Sequence, residues 1–210
     1  MTSSTSSTSS WAGTTAEERR ADRRARLLEA GLDAFGTEGY AASSINRICK
    51  AARVTERDLY REFGGKQGLF LGVYDALIEE VLARISAELA AAAPDPEAQV
   101  RAAADAFTAV VTTDPRKSRV NFVEAVGTEA GIETRRREVL RAFGALIETQ
   151  WRQMVDSGVA ERGPAPGLSM ALVGATQELL VDWTEDPGGR TRDDVVDAIV
   201  RVYMAVMRHA

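Results

Sequence analysis

Residues 45–63 read INRICKAARVTERDLYREF, and their spacing decides the fold. Ile45, Ile48 and Cys49 share one helical face, while Leu59, Tyr60 and Phe63 share a face of a second helix. Arg53-Val54 reads as the corner between them, because Thr55 is a capping residue that can open a fresh helix. Two short helices meeting at a corner make a shape that can enter a DNA groove. The second helix, however, carries Glu56, Asp58 and Glu62 against only Arg57 and Arg61. A surface that meets a polyanion needs those acids answered by something else.

Working outward, helical spacing continues in both directions. Leu27, Leu28, Leu32 and Phe35 form a stripe that stops at Gly39, and Ser43 or Ser44 can cap the next helix. Gly64-Gly65 breaks the helix that Thr55 opens. A long fourth helix is expected over 66–93, with Leu69, Val73, Leu77, Val81 and Ile85 spaced for burial. Asp95-Pro96 and Asp114-Pro115 each place a capping carboxylate before a proline at the first helical position. Further helices are expected over 132–157, 168–184 and 191–208, and no segment alternates long enough to make a strand. The fold class is all-α, about nine helices, with a three-helix head and a larger helical bundle behind it.

Composition narrows the function classes. Over 210 residues, 45% are apolar and 27% charged, a globular composition without the run of roughly 20 apolar residues that crosses a bilayer. The start, MTSSTSSTSSWAGTTAEERR, has no basic-then-apolar signal, so residues 1–17 read as a disordered Ser/Thr tail and the cytoplasm as the default location. One cysteine, Cys49, and one histidine, His209, leave no set of Cys and His for zinc, and no cofactor is expected. Cys49 reads as a small core residue and His209 as exposed. The formal charge of −5 is uneven: residues 1–68 hold 11 basic against 9 acidic side chains, and residues 69–210 hold 15 against 22. Only the first third is suited to approach phosphates. An enzyme is not expected: FGGKQG lacks the glycine spacing and the Ser/Thr of a phosphate loop, and no carboxylate pair sits in an apolar setting.

The order LLEAGLDAF, GYAASSINRI, VTERDLYREF, KQGLF over residues 20–75 resembles the TetR/AcrR family of transcriptional regulators. The family pattern matches at Gly39-Tyr40, at Ser43-Ser44, at the run Leu59, Tyr60, Phe63, and at Lys66 opening the next helix. The sequence departs from that pattern with Arg53 where the corner usually has Gly, with Arg57 and Asp58 where Gly and a small residue are usual, and with Glu62 where His is frequent. The resemblance implies a head over 18–66, an effector-binding and dimerising body over 67–210, and a sequence-specific regulator. A repressor released by a small apolar or amphipathic ligand is the default, and a helical ligand-binding or adaptor protein whose head has weak or lost DNA function is the alternative.

Placed in helix-turn-helix geometry, Ser43, Ser44 and Tyr60 are candidate phosphate donors, Lys66 sits at a helix N-terminus, and Arg23 and Arg24, with Arg19 and Arg20, are candidate backbone contacts. Thr55, Glu56, Arg57 and Arg61 remain as base readers, with Arg57 on guanine the leading specific contact. The expected partner is a palindromic duplex operator, read by a homodimer. The last two helices supply its interface: Leu168, Ala171, Leu172, Ala175, Leu179 and Trp183 on one, Val195, Ile199, Val202, Tyr203 and Val206 on the other, with Gly174 permitting close approach. Phe107, Phe122, Phe143, Trp151, Met154, Met170 and Gln177 are the candidate effector-pocket residues, being large or adaptable side chains inside a bundle. The fourth helix, joining pocket to head, is the expected lever.

Overall fold

The computed structural model describes residues 15–158 and 162–209, the last without its side chain. The first fourteen residues of the tail expected over 1–17, and the exposure of His209, therefore lie outside the described residues. Among the described residues there are nine α-helices and no strand. The head comprises α1 (Ala16–Thr37), α2 (Ile45–Ala52) and α3 (Glu56–Phe63), followed by the long α4 (Lys66–Ala91). The body continues with α5 (Pro96–Thr112), α6 (Pro115–Arg119), a five-residue π-turn (Val120–Glu124), α7 (Ala130–Asp156), α8 (Leu168–Glu185) and α9 (Arg192–His209). None of these helices is long and apolar enough to cross a membrane.

Local chemistry explains most of the helix starts. Thr15 and Glu18 make a capping box, so α1 begins at Ala16, inside the stretch expected to be tail. Ser44, not Ser43, caps α2 by accepting from the Arg47 N–H, and Thr55 caps α3 by accepting from the Asp58 N–H. Asp95 and Asp114 cap α5 and α6 ahead of their prolines. Helix α6 was not expected to end after one turn. It passes at once into the π-turn, where one extra residue per turn re-aims the side chains that follow.

The corner after α2 holds Arg53 at φ 54°, the one described non-glycine residue in the left-handed region. That conformation costs an ordinary residue roughly 1–2 kcal/mol. The Arg26 guanidinium of α1 clasps it, donating to the carbonyls of Ala52 at 2.8 Å and Arg53 at 3.2 Å. An arginine on the neighbouring helix thus fastens a corner where glycine would be less strained.

Two cores follow each other along α4. The head core joins Leu27, Phe35, Tyr40, Ile48, Leu59 and Phe70, with Cys49 among them as expected. Burial pushes the Cys49 thiol up, away from thiolate chemistry. Gly68 lets α4 start hard against the end of α3, since a Cβ there would lie 1.8 Å from the Phe63 carbonyl oxygen. The body core joins Leu77, Val81 and Ile85 of α4 to Val111 of α5, Leu180 of α8 and Ile199 of α9.

Candidate functional site

The acids of α3 are answered within the head. Glu62 accepts from the Arg20 Nε of α1 at 2.8 Å, and Asp58 accepts from the Arg61 Nη2 at 2.5 Å and from the Thr55 hydroxyl at 2.7 Å. Glu56 accepts from the Asn46 amide of α2 at 3.0 Å. The Arg20 guanidinium holds the Glu62 carboxyl below its ordinary value, and the Thr55 hydroxyl, followed by Arg61, does the same for Asp58. Arg20, Arg23 and Arg24 of α1 face Asp58, Arg61 and Glu62 across a narrow cleft. The like-charge pair four residues apart is therefore held between arginines rather than left to repel.

What remains outward is cationic and aromatic. Arg57 is exposed and makes no hydrogen bond or ion pair with the described residues, and Tyr60 is 52% exposed at the helix surface. Tyr60 was grouped with the inward residues by spacing; only Leu59 of that set is fully buried, with Phe63 half-buried. Arg24 lies over the Phe63 ring at 4.9 Å with its guanidinium otherwise open, and Arg23 is half-buried beside it. Ser44 and Thr55 spend their oxygens on helix caps, and Arg61 is committed to Asp58.

Two expected phosphate contacts point inward. Ser43 is buried and donates to the Gly39 carbonyl at 2.6 Å. The Lys66 ammonium donates to the Ser43 carbonyl at 2.9 Å and sits 4.4 Å from the centre of the Tyr40 ring. Both side chains hold the α1–α2 connection onto the start of α4. Lys50, exposed on the last turn of α2, was missed; it falls on the polar side of the Ile45, Ile48, Cys49, Ala52 stripe and could have been found from that phase.

In the body, a cavity of about 150 Å³ runs between α4, α5, α7, α8 and α9. Phe107, Phe122, Phe143, Trp151, Met154 and Gln177 all line it, six of the seven residues expected. Met170 does not: it is 41% exposed on the outer side of α8, with its sulfur toward Gly144 of α7. Helix α8 is apolar over much of its circumference, so its sequence did not reveal which side faces inward. The wall contributed by α7 extends from Val139 to Met154, a rise of about 22 Å. No Asp, Glu, Lys or Arg lines it; its polar groups are Gln99, Asn121, Gln150, Thr176 and Gln177, with the hydroxyls of Tyr74 and Tyr203. Burial pushes the Tyr74 hydroxyl up to about 12, so it stays neutral.

Leu172, Ile199 and Tyr203 also line the cavity, and Val195 is buried against the body core. Those four residues of the expected dimer faces belong to the interior of one chain. The outer faces keep Ala171 and Gly174 exposed and Ala175, Val202 and Val206 half-buried. A Cβ on Gly174 would meet nothing within 4 Å.

A polar seam joins cavity and head. Asn121 and Phe122 of the π-turn line the cavity, and Glu124 at its end accepts from the Tyr40 N–H at 2.8 Å and from Arg119 at 2.9 Å. The Tyr40 hydroxyl donates to Glu129 at 2.6 Å, and Arg119 donates to the Thr37 carbonyl at 2.8 Å. Sequence distances of 82 to 89 residues hid these contacts.

A helix-turn-helix head with outward cations is thus fastened to a helical body built around an apolar cavity. Residues 27–73 match the family model for bacterial regulatory proteins of the tetR family. The HTH-type transcriptional repressor NicS of Pseudomonas putida is 27% identical over 150 residues, which cover 68% of this chain and 66% of that repressor's length. Among solved structures, the regulator FadR from Bacillus subtilis in complex with stearoyl-CoA superposes with a TM-score of 0.75 at 14% identity, over 85% of this chain and 96% of that one. FadR from Bacillus halodurans gives 0.78 at 15% identity, over 90% and 97%. The likeness to the tetR family model is thus one of the head, over residues 27–73, and the chain shares the fold of these solved regulators.

Proposed function

We propose that the protein is a cytoplasmic homodimeric transcriptional repressor that binds a palindromic DNA operator and is released by an apolar or amphipathic small molecule. The observation that carries the reading is α3: its acids are paired inside the head, so Arg57 and Tyr60 are left to meet the groove, with Lys50 and Arg24 beside them. Arg57 is the base reader, for which a bidentate contact to guanine is worth about 1–3 kcal/mol of discrimination. Lys66 and Ser43 act through position, keeping α2 seated on α4. The match of residues 27–73 to the tetR family model and the likeness to NicS support a regulator rather than an enzyme.

The dimer forms through the outer faces of α8 and α9, where Gly174 and Ala171 leave room for a second copy. The effector occupies the body cavity, whose uncharged wall would leave a buried ion unpaired. The stearoyl-CoA bound by the Bacillus subtilis relative carries an apolar chain of the kind such a wall accepts. Release requires the effector to favour a head geometry unsuited to DNA, because equal affinity for both states shifts nothing. The π-turn is placed to make that difference, with Phe122 on the cavity and Glu124 on Tyr40; this adds a second route to the α4 lever.

Fluorescence anisotropy against duplexes from the DNA upstream of its own gene tests the reading. Saturable binding that resists competitor DNA and falls steeply with salt is expected. No binding even at low salt would instead make the protein a ligand-binding or adaptor protein with a non-functional head.

A further inference from the structure

Asn121 is the one buried amide side chain among those that line the cavity. Its residue is 8% exposed, it lines the cavity from the π-turn, and its side-chain amide makes no hydrogen bond with any described residue. An amide turned to a cavity without a protein partner is costly to keep from bulk water, and a chain retains it where another partner repays it. Around it Ile78, Phe122 and Val139 are buried and apolar, and Tyr74 is buried with them. Half-buried Gln150 and Met154 lie at the other end of the α7 wall. The cavity is thus an elongated apolar slot whose neutral hydrogen-bonding groups at the deep end are the Asn121 amide and the Tyr74 hydroxyl.

We infer that Asn121 is the specificity-determining residue of this cavity, and that its ligand is an uncharged, elongated molecule carrying a carbonyl or hydroxyl oxygen that reaches the deep end. This rests on the effector site proposed above and names its ligand class. A plain hydrocarbon end leaves the amide unpaired, and a carboxylate meets no cation in the wall. A site built around a polar group rejects the analogue that lacks it more sharply than it senses a missing methylene.

The test uses the full chain and three probes of matched length: 2-dodecanone, dodecane and dodecanoate, titrated by calorimetry. The ketone is expected to bind about tenfold more tightly than the alkane, the equivalent of one net hydrogen bond, and dodecanoate more weakly than the ketone. Asn121→Leu, close in shape, should erase the preference while leaving dodecane binding unchanged, and should raise the melting temperature of the ligand-free protein. Asn121→Ala, as the second variant, should erase the preference as well. A preference that survives both variants, equal binding of all three probes, absence of ketone binding, or a fall in melting temperature on Asn121→Leu would overturn the inference. Anisotropy of the same ligand-free samples on upstream DNA separates the two readings. DNA binding without ketone preference sinks the ligand class alone, and ketone preference without DNA binding sinks the regulator alone.

Discussion

The head and the body are built from the same kinds of side chain, yet one is closed and the other hollow. In the head, Phe35, Tyr40 and Phe70 stack with ring centres 5.3–5.7 Å apart, and all three are buried. In the body, Phe107 and Phe143 meet edge-on at 5.9 Å, but both also face a cavity of about 150 Å³. A cavity of that size in a packed core would cost on the order of 3 kcal/mol. The difference separates two uses of apolar residues: holding a recognition helix still, and keeping a place for an apolar molecule. The polar groups divide the same way, with the α3 acids all paired and Asn121 open.

The sharpest way to break the comparison is truncation on each side. Phe35→Ala should destabilise the protein by about 3–5 kcal/mol, because close-packed rings cannot refill the space. Phe107→Ala should cost less, about 1–2 kcal/mol, since part of its surface already faces a void. Urea unfolding of both variants checks the ratio; equal losses would mean the body is as tightly packed as the head. Backbone contacts give the next contrast. Gly68→Ala sets a Cβ 1.8 Å from the Phe63 carbonyl and should cost about 3 kcal/mol while loosening α3. Gly174→Ala meets nothing and should stabilise an isolated chain by up to about 1 kcal/mol through helix propensity.

Binding contrasts are smaller. Arg57→Ala should cost about 1–3 kcal/mol of DNA affinity and relax one base position of the operator. Lys66→Ala should weaken all duplexes alike and lower the melting temperature too, because its ammonium holds the Ser43 carbonyl and the Tyr40 ring. Anisotropy on an operator with single-base changes distinguishes them. A Lys66 variant with unchanged stability would return that residue to direct phosphate contact.

What could be read in the sequence was local. Thr55, Asp95-Pro96 and Asp114-Pro115 marked helix starts because a cap acts within three residues of itself. Leu59, Ile48 and Phe35 declared the head core by helical phase. The cavity was partly legible, since Phe107, Phe143 and Trp151 are too large to be idle inside a bundle. Asn121 was not: in VNFV it is one polar residue among apolar ones, and only the π-turn aims it at the cavity. Met170 failed for the opposite reason, an apolar residue on the outside of a helix with little polar contrast. Lys66 and Ser43 were rightly noticed as polar and wrongly aimed, because their partners are carbonyls no pattern reveals.

The smallest effect concerns how firmly the α3 acids are held. Asp58 and Glu62 titrate below their ordinary values of about 3.9 and 4.3 in the folded chain. A lowered folded value means their contribution is complete above those ordinary values and is lost as pH falls through the folded ones. The body has its own counterpart in Glu133, held down to about 2 by Arg136 and then Arg137. His209 is the only histidine, so no described side chain is an imidazole that would titrate between pH 5 and 8. The difference in melting temperature between wild type and Glu62→Gln should therefore be constant from pH 8 to about 5. Below about pH 4 it should shrink, because protonation then removes in the wild type what the substitution has already removed. The arginine of each pair is exposed, so screening keeps the effect slight. A difference that widened on acidification would mean Arg20 does not hold Glu62, and α3 would then carry its negative charge unanswered to the DNA.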